Sequence, residues 1–250
     1  MTKPSDNALV PVNLEQLPST QVGTDDQFLE LAKSADFLGR LQLYTKGKAV
    51  NKGLVRPGHY GIPASDEEVT DLGGSIDIIP LARRPKALDM TDSDAVLASY
   101  DPESDEFKRI AEASLETDSH CMYGPSFLVY ERNTKQFLEF FCGTKSTRSE
   151  AKKIYPFLPL SQADIDRQAK AGNDVTGLQP HGPLPLTLKS RLVEKSTYSW
   201  HVPVISKCNE PFTKLPTMDR IVKEITAFVN CQGDGVEVVK EPAGKKARAR

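Results

Sequence analysis

The stretch SFLVYERNTKQFLEFFCGTKSTRSEAKK, residues Ser126–Lys153, decides the fold of this chain. Two aromatic-rich segments, Phe127–Tyr130 and Phe137–Cys142, flank the polar turn Arg132–Lys135. Apolar segments joined by such a turn predict a β-hairpin. Because almost every residue on both arms is apolar, we expect both faces of the two strands to be covered, at the centre of a sheet or barrel.

A basic segment follows the hairpin directly. Residues 143–153 combine glycine, hydroxyl side chains and the cations Lys145, Arg148, Lys152 and Lys153. We expect this segment to be a loop at the exit of the second strand. A basic loop held by a rigid core is the clearest functional indication in the sequence.

Composition limits the class of protein. The 250 residues carry a formal charge of −2, which excludes a uniformly basic nucleic-acid coat. The charge is uneven, however, because Asp66–Asp118 is acidic whereas Arg132–Lys153 and Lys245–Arg250 are basic. A charged partner would therefore meet local patches of one sign.

The sequence also indicates a compartment. No apolar run has the length needed to cross a bilayer, and the first residues lack the pattern of a secretory signal, so we expect a soluble cytoplasmic protein. The four cysteines are widely spaced and form no C-x-x-C pair, which favours reduced thiols. They are Cys121, Cys142, Cys208 and Cys231.

One domain with extensions is the expected organisation. We predict a flexible N-terminal arm over 1–22, a single β-rich domain over 23–230 and a disordered basic tail over 231–250. An acidic segment at 89–118 and a Gly/Pro-rich linker at 172–187 interrupt the domain. Capping patterns predict helices that start after Ser104 and after Ser161, and an amphipathic helix follows Thr217.

Two further basic groups accompany predicted strands. After the alternating strand that ends at Tyr44, a glycine-rich loop contains Lys46, Lys48, Lys52 and Arg56 and ends at Tyr60. Such a loop can follow a phosphate backbone while tyrosines stack on bases, although an ordinary solvated hairpin loop has the same composition. A strand at Ser75–Ala82, with Pro80 at an edge or a bulge, precedes the second group, Arg83, Arg84 and Lys86.

Trp200, the only tryptophan, permits two interpretations. In a strand, Tyr198, Trp200 and Val202 would share one face. If that face is inward, Trp200 is a core residue. If it is outward, Tyr198 and Trp200 form a stacking platform for bases.

No catalytic or cofactor motif is present. The segment after Gly143 lacks the Gly-Lys-Ser/Thr core of a nucleotide-binding loop, and no G-x-G-x-x-G, H-E-x-x-H or G-x-S-x-G pattern occurs. The four histidines lack metal-ligand spacing. We therefore expect no enzyme, no cofactor and no metal.

Together, these observations predict an α+β, β-rich fold: an antiparallel barrel of the oligonucleotide-binding (OB) type with a few peripheral helices. The predicted function is sequence-tolerant binding of single-stranded DNA, with RNA as an open alternative. The candidate nucleic-acid-binding residues are Tyr44, Lys46, Lys48, Lys52, Arg56, Tyr60, Arg83, Arg84, Lys86, Lys145, Arg148, Lys152, Lys153 and Trp200.

Four segments give the chain a resemblance to phage-encoded single-stranded-DNA-binding proteins of replication and recombination. They are Phe37–Tyr44, Arg83–Leu88, the aromatic hairpin with its basic exit, and Leu188–Leu192 with Tyr198–Trp200. The resemblance covers residues 37–230. It implies an OB-like fold, a host-cell location and replication or recombination proteins as partners, with a homo-oligomer as a further expectation. The basic C-terminus departs from the acidic tail that such binders often carry.

Two other classes remain as alternatives. A phage structural or assembly protein would use the aromatics as core and the charges as a solvated surface. A metal-dependent nuclease would need acids such as Asp71, Asp77 and Asp89 to converge.

Overall fold

The computed structural model describes residues 38–65, 67–91, 96–116, 118–196, 198–213, 215–230 and 235–237. The predicted N-terminal arm at 1–22 lies outside these residues, as does most of the predicted basic tail.

The described residues contain ten strands in one sheet. The strands are β1 Gly39–Leu43, β2 Tyr60–Ser65, β3 Glu68–Gly73, β4 Ser75–Asp89, β5 Val96–Ser99, β6 Cys121–Glu131, β7 Phe137–Phe141, β8 Leu186–Glu194, β9 Ser199–Lys207 and β10 Gly235–Glu237. The α-helices are α1 Lys48–Asn51, α2 Asp105–Ala113, α3 Lys145–Ala151, α4 Gln162–Lys170 and α5 Met218–Asn230, and a 3₁₀-helix spans Lys152–Phe157.

The long strand β4 organises the sheet. The main strand order is β10-β5-β4-β6-β7-β1-β2-β3, and the β8–β9 hairpin joins the N-terminal half of β4. All pairings are antiparallel except that of β1 with β7, so the sheet is mixed. A register shift lies between Pro80 and Ala82, where Pro80 occupies the predicted bulge.

Both faces of the central strands are covered. On one face, Phe127 and Val129 of β6 pack with Leu138 of β7 and with Ile154 of the 3₁₀-helix. On the other face, α5 packs on side chains of β4, β6 and β7 through its apolar stripe. The β6–β7 hairpin is thus confirmed, as is its position at the centre of the sheet.

The predicted OB-type barrel is wrong. Within the described residues β3 pairs only with β2, and β9 pairs only with β8, so the sheet has free ends and stays open. A closed barrel would bury one face of its strands in its interior, whereas here each face of β6 has its own core. The fold is an open α+β sheet with helices packed on it.

Local sequence signals predicted three of the helices. Ser104 caps α2 and Ser161 caps α4 with a capping box, as predicted, and α5 forms over the predicted amphipathic segment. The basic exit from the hairpin is not a loop as predicted, because α3 and the 3₁₀-helix occupy it. Part of the predicted disordered tail forms β10. None of the helices in the described ranges has the length and apolarity to cross a membrane.

Candidate nucleic-acid interface

Four of the fourteen candidate residues are not accessible side chains. Tyr60 and Lys86 are 0% and 1% exposed, and Tyr44 is also buried. The Tyr60 hydroxyl donates to the Lys189 carbonyl at 3.0 Å, and burial raises the pKa of Tyr60 far above its usual range. The fourth, Arg84, has a nearly covered side chain. The prediction that these four residues contact nucleic acid at the surface is therefore wrong, because their side chains lie in the interior.

Arg84 and Lys86 belong to a buried ion cluster around Glu139. The predicted strand continues through both residues to Asp89, so they lie within β4 and not at a strand end. Lys86 Nζ donates to Glu139 at 2.8 Å, Arg84 Nη2 at 3.0 Å and Ser126 Oγ at 2.7 Å. Burial alone would raise the Glu139 pKa, because it disfavours the charged carboxylate. The positive charges of Lys86 and Arg84 outweigh this effect and lower the Glu139 pKa to about 2. The cluster therefore holds β4 to β7 across β6.

Arg148 is also engaged by the fold. Its guanidinium donates to the carbonyls of Tyr123 at 2.8 Å and Gly143 at 2.6 Å. It also lies 4.2 Å from the centre of the Tyr123 ring. These contacts hold α3 against β6. Arg148 thus positions α3, whereas Lys145, Lys152 and Lys153 of the same basic segment are exposed.

Arg83 remains on the surface beside an aromatic ring. Its guanidinium lies 4.3 Å from the centre of the Tyr155 ring, which is 37% exposed. Tyr155 also packs on Phe127 of the core. An arginine plane supported by a tyrosine can stack with a base while its charge meets a phosphate.

The cations between β1 and β2 form a second group. Lys46, Lys48, Lys52 and Arg56 are all exposed, on α1 or on the turns that flank it. Backbone hydrogen bonds between Tyr44 and the Gly58–His59 pair close the base of this connection. We call residues 45–58 the cationic connection.

The outward interpretation of Trp200 fits the structure better. The rings of Tyr198 and Trp200 stack at 5.2 Å with an interplanar angle of 23°. Tyr198 is 56% exposed, and Trp200 is half-buried. Lys195 Nζ lies 5.8 Å from the centre of each ring. We call Tyr198 and Trp200 the aromatic platform.

Strand β9 connects these groups. The His201 N–H donates to Thr45 Oγ1 at 3.3 Å, and the Gly58 backbone lies against the His201 ring. Helix α3 also packs against β9. The cationic connection and α3 thus both contact β9, the strand that carries Trp200, although the His201 ring that meets Gly58 points to the face opposite Trp200.

Sequence reasoning missed several members of this surface. Lys189 and Arg191 on β8 are exposed and face Val204 and Val202 in the register, so they share the face of Trp200. The period of two in β8 could have identified both residues. Lys195 and Tyr155 carried no comparable signal, because their position depends on the turn of the hairpin and on the 3₁₀-helix.

The carboxylates named for a nuclease do not converge. Asp77 and Asp89 lie near opposite ends of β4, roughly 40 Å apart at the rise of a strand. Asp77 binds Arg132, Asp89 binds Arg109, and Asp71 binds His59. Among the described residues, no group of three or more His, Cys, Asp or Glu side chains is arranged to hold a metal ion.

Comparison with known proteins identifies no relative. No family model matches the chain, and no match is found among curated proteins or solved structures.

Proposed function

We propose that this protein binds single-stranded DNA with little sequence preference, in phage replication or recombination, and that binding involves no catalytic step. The observation that carries the proposal is the aromatic platform with Lys195 Nζ 5.8 Å from each ring centre, on a strand to which the cationic connection is hydrogen-bonded through Thr45. Phosphates would contact lysines and arginines, while bases would stack on aromatic rings. This combination is how proteins hold single strands without reading their sequence.

The chemistry of the surface favours a single strand over a duplex. The bases of a duplex are stacked on one another, so an aromatic platform cannot reach their faces. A single strand offers a face on every base together with one phosphate per nucleotide. The partly exposed rings beside the exposed Lys195 therefore favour the single strand.

The proposal includes a location. We assign the protein to a bacteriophage and to the cytoplasm of the host cell. The resemblance to phage-encoded binders supports this assignment. The three described cysteines, Cys121, Cys142 and Cys208, are free thiols, which agrees with a reducing compartment.

The experiment is a salt series with a fluorescent mixed-sequence DNA oligonucleotide, single-stranded and double-stranded, followed by anisotropy. We expect preference for the single strand and a steep loss of affinity as salt rises. Replacing Lys46 and Lys48 with alanine should make log K fall less steeply with log salt. The magnitude of the slope should decrease by about 0.7 for each phosphate contact that is lost. The control is Lys108→Ala in α2, outside the surface, which should leave the slope unchanged.

Two outcomes would reject the proposal. Absence of binding to either form at low salt would favour the assembly protein, especially if the chain forms a stable oligomer. Equal slopes for the Lys46/Lys48 double variant and the Lys108 control would remove the cationic connection from the interface. An RNA strand measured in parallel decides between the two nucleic acids.

A further inference from the structure

The β8–β9 hairpin has one face that points away from the core. Side chains alternate between the two faces of a strand, and residues paired in the register lie on the same face. Leu186 and Leu188 occupy the inner face, where both are 0% exposed and belong to the core. Trp200 pairs with Val193, so it lies on the other face, which we call the outer hairpin face.

Two cations, Lys189 and Arg191, share the outer hairpin face with Trp200. Both precede Val193 in β8 by an even number of residues, so their side chains lie on the same face as that residue. Both are exposed, and neither side chain forms an ion pair or a hydrogen bond within the described part of the chain. The charges of Lys189 and Arg191 are therefore available to a ligand.

Within β8 and β9, no acidic residue offsets these two charges on the outer hairpin face. Glu194 pairs with Ser199 on the inner face. Val202 is buried, whereas the longer side chains of Lys189 and Arg191 reach solvent. The remaining residues of the outer hairpin face are uncharged, namely Thr187, Val193, Val202, Val204 and Ser206. A face with two cations and no acid attracts a polyanion.

Cations lie on both sides of Trp200 along the hairpin. Arg191 and Lys189 are about 6.6 and about 13 Å from Val193 along β8, in the direction away from the hairpin turn. Lys195, at the turn, places its Nζ 5.8 Å from the centre of the Trp200 ring. A base stacked on Trp200 would thus have a cation on each side for the phosphates that precede and follow it.

We propose that the outer hairpin face is the path of the bound strand, with a base on Trp200, phosphates on Arg191 and Lys189 on one side, and a phosphate on Lys195 on the other. This inference rests on the proposed function. It does not rest on the cationic connection, which meets β9 at His201 on the opposite face. The ligand is an extended single-stranded polynucleotide that lies along the hairpin, because the cations and the ring follow one another along it.

The chain provides a matched control at Lys207. This residue is an exposed cation of the same hairpin, but it pairs with Leu186 and so lies on the face opposite Trp200. Lys207→Ala removes the same charge as Lys189→Ala from the same two strands. A difference between these variants isolates the face on which the charge lies.

The test measures binding of a fluorescent mixed-sequence single-stranded DNA oligonucleotide over a salt series by anisotropy, with folding checked by circular dichroism. Lys189→Ala and Arg191→Ala should each decrease the magnitude of the slope of log K against log salt by about 0.7, and the double variant by about 1.4. Lys207→Ala should keep the wild-type slope.

Titration of Trp200 emission with the same unlabelled strand tests whether one strand contacts the ring and the cations together. In the Lys189/Arg191 double variant, the midpoint of quenching should move to higher DNA concentration by the same factor as Kd from anisotropy. Wild-type protein that fails to bind the strand rejects the proposed function. Three results overturn the path alone: a folded double variant with the wild-type slope, an equal loss in Lys207→Ala, or a weakened Kd with an unchanged quenching midpoint.

Discussion

Replacing Trp200 with alanine should weaken binding of single-stranded DNA without altering its salt dependence. Tyr198 covers one face of the Trp200 indole at 5.2 Å, so at most one base stacks on the other face. A stacked base contributes about 1 to 3 kcal/mol, which corresponds to a factor of about 5 to 150 in Kd. The indole contacts no phosphate in this scheme, so the slope against salt should not change.

The assay is anisotropy of a labelled single strand at several salt concentrations, with folding checked by circular dichroism. Leu192→Ala is the matched control. Leu192 is 46% exposed on the same hairpin, and it pairs with His201 in the register, so it lies on the face opposite Trp200. Its replacement should leave Kd unchanged.

Three results would refute this reasoning. A folded Trp200→Ala protein with wild-type affinity would assign Trp200 to packing alone. An equal loss in Leu192→Ala would mean that the hairpin as a whole, and not the ring, is responsible. A salt slope that falls with the affinity would mean that the variant displaces cations and does not merely remove a stacking surface.

Two further predictions concern the interior. The Glu139 pKa is about 2 in the folded protein against 4.5 for an ordinary glutamate, so its charge should add about 3 kcal/mol of stability above pH 4.5, lost as pH falls towards 2. Glu139→Gln should therefore be less stable than wild type at neutral pH in urea unfolding, and a gap that does not narrow towards pH 2 would contradict the Lys86 pairing. Gly124→Ala would place a Cβ at 2.2 Å from the Cys142 carbonyl oxygen and should cost about 1 to 3 kcal/mol or more. Gly74→Ala, where the nearest atom is 3.7 Å away, should leave the unfolding midpoint nearly unchanged, and equal midpoints for the two variants would disprove the collision.

The predictable part of the fold depended on local signals. The aromatic hairpin, the caps at Ser104 and Ser161 and the stripe of α5 each involve residues close in sequence, and the structure contains all of them. Apolar residues on both faces of β6 correctly indicated that both faces are covered. That same observation argued against a barrel, since two covered faces require a separate layer on each side.

Contacts between residues far apart in the sequence could not be predicted. Three basic residues around Pro85 predicted a strand end, yet β4 continues to Asp89. Within the strand, Lys86 donates a hydrogen bond to Glu139, which is 53 positions away in the sequence. That partner, together with the Tyr100 and Phe141 rings near Lys86 Nζ, makes a lysine inside the sheet tolerable. The helix α3 was missed because its capping box uses the hydroxyl of Thr147 in place of an acidic or amide side chain such as Asp164 in the box of α4.

Part of the candidate nucleic-acid interface was likewise predictable from local sequence, and part was not. Exposed cations of the cationic connection were predictable from their composition and spacing. Their position beside β9 was not, because the His201–Thr45 hydrogen bond joins residues 156 positions apart. Burial of Tyr44 and Tyr60 was equally hidden, since a tyrosine near a basic loop serves a core as well as it serves a base.

The most direct test of the central claim is the emission of Trp200 during titration with an unlabelled mixed-sequence single strand. The chain contains one tryptophan, so every change in its emission reports on the aromatic platform. We predict saturable quenching by the single strand at low salt, reversal of the quenching by added salt, and much weaker quenching by the duplex. No change in emission at strand concentrations that saturate binding, or no binding at all, would contradict the account.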